Sequence, residues 1–364
     1  MSNFFTKRFL TENKIDLRVV VFDVDEEFKD NCLILSGLIQ DHGYKHLFLE
    51  FLKENISYCI QDNLLEISNL KNISKGLVNV SVADVHASPS FISPVITQAL
   101  LGTTVTILKQ LGDWMLIQLA DHYIGWVTET IVPITSELHK TWVVRKKLIV
   151  TCMHDFVYTS TKKEQSISDI VIGNILCASG NETFEMYEIT FADGRKGFID
   201  KQSVEIYYDW VEKRVATEDS VVETALKFTG IPYSWGGITC KALDCSGFVK
   251  LVYYLNGIML QRDADQQALS GVDVPLTPDM ENVKAGDLLF FGRFDENLGH
   301  APISHVGISL GGKKFIHSSG NVHIGSFDSK SASYDARRSE SLLKVKRIVG
   351  MDESKGVFKV SASV

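Results

Sequence analysis

Leu243-Asp244-Cys245-Ser246-Gly247-Phe248 decides how the C-terminal part of this chain is read. Asp244 is a good N-cap. After Cys245, the residues Phe248, Val249, Leu251, Val252 and Leu255 cover most of a helical surface until Gly257 stops the run. The spacing predicts a buried helix with Cys245 in its first turn. A sulfur there faces the helix amides and the positive end of the dipole, which lower a thiol pKa. A purely structural cysteine would sit more naturally in the middle of such a helix.

Two strand-like runs downstream each carry a histidine, Ser304-His305-Val306-Gly307-Ile308 and Phe315-Ile316-His317-Ser318-Ser319-Gly320. Leu310-Gly311-Gly312 between them marks a hairpin. A three-residue loop pairs Ser309 with Lys313, and therefore His305 with His317, on one face. A two-residue Gly311-Gly312 loop would pair Val306 with His317 and turn His305 to the other face. Nucleophilic acyl transfer needs the first register, with Cys245 attacking, His305 as general base and His317 fixing its tautomer. His300, in a Gly/Pro loop, and His323, after the hairpin, read as solvated.

The rest of the chain divides by pattern. Residues 1–75 form a small α+β unit, with strands over 16–25, 32–39 and 56–67 and a helix over 44–54. Residues 76–135 are short strands between turns, including Trp114-Met115-Leu116-Ile117 and Tyr123-Ile124-Gly125-Trp126-Val127, as in a small β-barrel. Residues 136–210 repeat that theme more loosely, with a strand over 143–152 and Gly197-Phe198-Ile199 echoing Gly125-Trp126-Val127. Residues 211–350 run helices first and antiparallel strands second, an α+β order.

At 364 residues the chain is too long for one ordinary domain. A net charge of -8, with no basic cluster, disfavours nucleic acid as a partner and tight adsorption to an anionic wall. No apolar run is long enough to span a membrane, and the start lacks a secretory core. The six cysteines show no CxxC or metal-finger spacing, so no metal or cofactor is implied, and a disulfide framework is not expected in so long a chain. These features favour a cytoplasmic protein; a secreted or periplasmic one whose signal has been removed is the alternative.

Tyr233-Ser234-Trp235-Gly236-Gly237, Asp244-Cys245-Ser246-Gly247-Phe248, Gly286-Asp287-Leu288-Leu289-Phe290-Phe291 and His305-Val306-Gly307-Ile308 occur in this order. Together with His317, this set over residues 212–350 resembles the NlpC/P60 family of cysteine peptidases, and residues 76–135 resemble bacterial SH3 domains. The resemblance implies a multi-domain α+β protein. Its papain-like catalytic domain would follow two SH3-like barrels and the N-terminal unit.

The full arrangement is similar to γ-D-glutamyl-L-diamino acid endopeptidases of the dipeptidyl-peptidase VI type, which recycle murein peptides. That subgroup cuts L-Ala-γ-D-Glu-diamino acid, bearing a free N-terminus, after D-Glu. By resemblance Tyr233 belongs to the oxyanion region, and Trp235, Asp244 and Ser246 to the substrate cleft. Asp263 would meet the peptide amine, and Tyr123 would limit substrate length. Two positions depart from the pattern: Ala264 where serine is common, and Pro94 where an acidic residue is expected. The alternatives are a secreted endopeptidase acting on polymeric peptidoglycan and a wall-peptide-binding SH3 protein with a vestigial catalytic domain.

Overall fold

Asp30 and Asn31 both take positive φ, 49° and 62°, and close a two-residue turn between antiparallel strands Phe22–Lys29 and Cys32–Ile39. The computed structural model describes residues 3–67, 74–296 and 298–361. Helix His42–Asn55, capped by the Asp41 carboxylate, crosses over so that Cys59–Glu66 joins Cys32–Ile39 in parallel. Phe9 of helix Phe4–Glu12, with Phe22, Leu33, Phe48 and Leu52, fills the space beneath the sheet. The first strand starts at Phe22, later than the 16–25 expectation. The Asp16 carboxylate accepts from the amide and guanidinium of Arg18 and bends that stretch into a turn.

Seven strands form a first barrel, in the order Ile131–Ile134, Ser74–Val78, Thr104–Leu111, Trp114–Gln118, Ile124–Val127, Val82–His86 and Val95–Leu100. Val78, Ala83, Val85, Ile117 and Val127 alternate inward to make its core. A second seven-stranded sheet runs Ser166–Val171, His154–Tyr158, Lys196–Asp200, Met186–Thr190, Ile175–Glu182, Lys147–Val150 and Val204–Ile206. Between the two barrels stands helix Ser136–Val144, capped by Thr135. It replaces the start of the strand expected over 143–152, because Trp142 anchors it against Leu77, Ile134 and Cys177.

The C-terminal body packs helices Glu218–Leu226 and Cys245–Leu255 on a six-stranded antiparallel sheet. The sheet order is Val272–Asp273, Leu342–Arg347, Leu288–Gly292, Ile303–Gly311, Lys314–Ser319, Asn321–Ser326. Its core joins Val221, Phe228, Phe248, Val252, Phe290 and Ile316. Truncating a residue such as Phe248 would cost about 3–5 kcal/mol. Helix Tyr207–Lys213 spans the expected 210/211 boundary, and its Tyr207 and Trp210 are buried with Ile149, Ile175 and Val360. The body also runs past residue 350, since Val357 lies in the core and Phe358–Lys359 pairs with Ile258–Met259.

Ionic and hydrogen-bonding contacts tie the units together. Lys250 meets Asp121 of the first barrel at 2.6 Å, and Lys241 meets Asp169 of the second at 2.6 Å. Arg262 Nε donates to Thr97 at 2.8 Å, and the Ile238 amide donates to Gln98. No helix among the described residues is long and apolar enough to cross a membrane.

Candidate active site

Cys245 opens helix Cys245–Leu255, and Asp244 caps it, accepting from the Gly247 amide at 2.7 Å. The other Asp244 oxygen accepts from the Gly236 amide at 2.9 Å. Arg262, 1% exposed, donates to both Asp244 oxygens and to Ser246 Oγ. Asp244 and Ser246 are therefore buried and bonded inside the protein. They shape the cleft by fixing the helix start, and the ion pair is a structural one. Losing Asp244 alone would strand Arg262 at a cost of about 3–5 kcal/mol. A Cβ on Gly247 would lie 2.1 Å from the Gly237 carbonyl oxygen, so helix and loop meet backbone to backbone.

In the histidine hairpin Ile308 faces Ile316, Ser309 faces Phe315, and a bulge follows before Gly311 faces Lys314. Neither loop expected from the sequence forms. Gly311 and Gly312 both take positive φ, Ser309 Oγ accepts from the Gly311 amide, and Leu310 is the bulged residue. The ladder puts His317 opposite Gly307 rather than His305. The displacement is two residues, so both imidazoles still share a face. Gly307 makes room, since a Cβ there would stand 3.1 Å from His317 Cβ. The rings meet edge to face, with His305 Nε2 2.8 Å from His317 Nδ1.

A third imidazole completes the row. His317 Nε2 lies 3.1 Å from His323 Nε2, whose Nδ1 lies 3.0 Å from the Asn321 carbonyl oxygen. That carbonyl only accepts, so His323 Nδ1–H donates to it and His323 Nε2 accepts from His317 Nε2–H. His317 Nδ1 then accepts from His305 Nε2–H. One set of tautomers satisfies every contact, and it leaves His305 Nδ1 with a free lone pair. Asp335 stands 3.8 Å from His317 Nε2, within reach of any positive charge that enters the row. His323 read as solvated from sequence. The signal for it was its cross-strand pairing with His317 around the tight turn at Gly320.

The electrostatics differ from the expectation of a lowered thiol pKa. Burial, then the Asp244 charge, pushes Cys245 up to about 11, against hydrogen bonds from the Val306 and Ser246 amides. Burial, then Arg338 and His317, pushes His305 down to about 2, and burial, then His323, takes His317 to about 3. The thiol and the imidazole are both neutral at rest. The Val306 amide at the sulfur puts Cys245 against the residue that follows His305. Burial and the nearby Cys245 raise Tyr233 to about 12, so it stays a phenol able to donate.

Trp235 projects from its loop, 69% exposed, where a flat substrate could lie against it. At the far end Tyr123 OH donates to Asp263 Oδ2 at 2.9 Å. Arg18 of the N-terminal unit donates to the same oxygen at 2.9 Å and also holds Asp265 and Asp16. Nothing local in the sequence announced Arg18, which lies 245 residues from Asp263. On the other side of His305, Arg337 and Arg338 line a pocket with Tyr233, Ser304, Ser318 and Ser319. Sequence reading singled out neither arginine.

Residues 230–339 match the NlpC/P60 family, and residues 85–130 match the bacterial dipeptidyl-peptidase SH3 domain. The γ-D-glutamyl-L-lysine dipeptidyl-peptidase of Bacillus subtilis is 29% identical over 231 residues, covering 61% of this chain and 71% of that protein. Dipeptidyl-peptidase 6 of Lysinibacillus sphaericus is 26% identical over 274 residues, covering 71% and 93%. The crystal structure of an NlpC/P60 family protein from Bacillus cereus superposes with a TM-score of 0.62 at 22% identity. It covers 76% of this chain and all of that one, a likeness of fold.

Proposed function

We infer, from an NlpC/P60 cysteine-peptidase domain and a bacterial dipeptidyl-peptidase SH3 domain carried in one chain, that this protein cuts murein peptides. The substrate is L-Ala-γ-D-Glu-diamino acid with a free N-terminus, and the bond cut is the γ-D-glutamyl one. The observation that carries this reading is the oriented row His305–His317–His323, whose first member precedes the Val306 amide that reaches the sulfur at a helix start.

As the Cys245 sulfur attacks the γ-carbonyl, its proton passes to His305 Nδ1. The carbonyl oxygen, now an oxyanion, accepts from the Cys245 amide and the Tyr233 hydroxyl. His305 returns the proton to the leaving nitrogen, the C–N bond breaks and a thioester remains. Water, deprotonated by His305, then releases the acid and regenerates the thiol. Burial keeps both partners neutral until substrate arrives, so charge separation coincides with bond formation.

At the Tyr123 end, three carboxylates (Asp16, Asp263, Asp265) face Arg18, and Asp263 also stands 4.0 Å from Arg262, the partner of Asp244; four carboxylates against two guanidiniums leave two net negative charges to attract an ammonium. The same arrangement favours a second reading. With Arg18 already on Asp263, a blocked N-terminus would be tolerated, as a wall endopeptidase requires. We place the protein in the cytoplasm, where free murein peptides are recycled and six unpaired cysteines persist.

Mass spectrometry of digests decides the matter. The expected products from L-Ala-γ-D-Glu-L-Lys or its diaminopimelate counterpart are L-Ala-D-Glu and the free diamino acid. Cleavage of intact sacculi with no action on the free peptides would overturn the recycling reading in favour of the second.

A further inference from the structure

The pocket beside His305 holds two arginines that touch no reacting group in the steps above. It encloses about 320 Å³ between Tyr233, Ser304, His305, Ser318, Ser319, Gly320, Arg337 and Arg338. Arg338 is 7% exposed, and its guanidinium stacks 5.5 Å over the Phe291 ring, which in turn packs on His305. Other buried or half-buried cations of this body have acidic partners: Arg262 has Asp244, Arg347 has Asp287 and Lys346 has Asp273. Among the described residues, neither Arg337 nor Arg338 forms an ion pair or side-chain hydrogen bond with a carboxylate. Asp335 accepts from the Arg338 backbone amide, and its charge reaches the Arg338 guanidinium without forming an ion pair.

A guanidinium does not shed its proton, so Arg338 stays charged in a site that desolvates it. Such a group is poised for an anion, and its planar fork suits a carboxylate. The position identifies which part of a substrate it would meet. His305 must protonate the leaving nitrogen, so the released amino acid lies on its side of the sulfur. Trp235, Tyr123 and Asp263 do not enter this pocket.

We propose that Arg338, with Arg337, binds a carboxylate of the amino acid that is released, making this pocket the determinant of leaving-group specificity. The proposal rests on the peptidase reading above. Two sources supply that chemistry: the α-carboxylate of any C-terminal diamino acid, and the side-chain carboxylate that diaminopimelate has and lysine lacks.

The test compares kcat/KM for L-Ala-γ-D-Glu-L-Lys, its C-terminal amide, the diaminopimelate peptide and its α-amide. Removing the recognised carboxylate should lower kcat/KM by about 10- to 100-fold, the usual weight of a hydrogen bond to a charged group. A penalty for α-amidation identifies the α-carboxylate; a preference for diaminopimelate over lysine with no amidation penalty identifies the side-chain group. Arg338→Gln should shrink the difference towards one. Arg337→Gln, at an exposed position, gives the same readout if the buried variant fails to fold. Equal cleavage of all four peptides by the unmodified protein overturns the proposal and leaves the peptidase reading standing. Failure to cleave any of them overturns the peptidase reading itself.

Discussion

At the barrel end of the cleft, Asp263 is already bound by Tyr123 and Arg18, and a network of carboxylates spans the N-terminal unit, the first barrel and the catalytic body. At the opposite end Arg337 and Arg338 face a pocket lined, among the described residues, by no carboxylate. The first end is pre-paired, so on the proposed reading a substrate ammonium must join or displace a guanidinium there. The second is left for the ligand to complete. Charges satisfied inside the chain set shape and tune discrimination, whereas an unsatisfied buried charge draws binding energy from the substrate.

On the proposed reading both ends serve one sulfur, so the largest effect comes from removing it. Cys245→Ala should abolish turnover with the fold retained, since a small apolar residue suits that buried helix start, and His305→Ala should cost about 10²–10⁴-fold. Rates with both variants, checked against unchanged circular dichroism, test this; near-normal turnover by Cys245→Ala would remove the premise that the two ends flank a nucleophile.

The next effect concerns the sulfur's environment between them. With Cys245 pushed up to about 11, its alkylation by iodoacetamide should climb with pH and show no plateau near pH 5–6. Below a thiol pKa the thiolate fraction rises about tenfold per pH unit. Labelling of Cys245 at mildly acidic pH, mapped by peptide mass spectrometry, would mean that a thiolate–imidazolium pair exists at rest.

Arg18→Gln breaks the comparison at its pre-paired end. Without that guanidinium, Asp16 keeps Gln266 and Asp263 keeps Tyr123 and the more distant Arg262, so the cluster leans more on the substrate ammonium and N-acetylation of L-Ala should become more damaging than in the unmodified protein. The partial exposure of Arg18 and Asp263 limits the change in the acetylation penalty to about tenfold. An identical penalty in both proteins would reduce Arg18 to a tether for the N-terminal unit.

Acid should give the most graded difference. His305 and His317 are held near 2 and 3 in the folded protein, against about 6.5 when unfolded. Unfolding therefore takes up protons below pH about 6.5, and the stability these buried neutral rings carry is lost as pH falls towards their folded values. Burial works to raise Asp16, but hydrogen bonds from Arg18 and Gln266 outweigh it and keep that carboxyl below its usual range, so Asp16 does not share this acid sensitivity. Melting temperature should fall from pH 7 to pH 4, less steeply in His317→Asn; an equal slope would place the acid sensitivity elsewhere.

Much of this was legible because it is local. The Asp244 cap, the apolar face after Cys245 and the Gly-rich hairpin are short-range patterns with direct backbone consequences. The hairpin register was not, because the bulge at Leu310 depends on the Ser309 hydroxyl and two positive-φ glycines acting together. The helix Ser136–Val144 was hidden because tertiary burial of Trp142 overrides β-like composition. Arg18 reached Asp263 only through folding. The thiol pKa was misjudged for a similar reason: the helix dipole is written in sequence, while the burial that opposes it belongs to the packed domain.

The central claim is that Cys245 forms a thioester with the γ-carboxyl of D-Glu. Acid-quenching the reaction with L-Ala-γ-D-Glu-diamino acid within a single turnover, then peptide mapping by mass spectrometry, tests it most directly. The account predicts an L-alanyl-γ-D-glutamyl adduct on the peptide containing Cys245, absent from Cys245→Ala and discharged by hydroxylamine. An adduct on another residue, or product formation by Cys245→Ala at the unmodified rate, would contradict it.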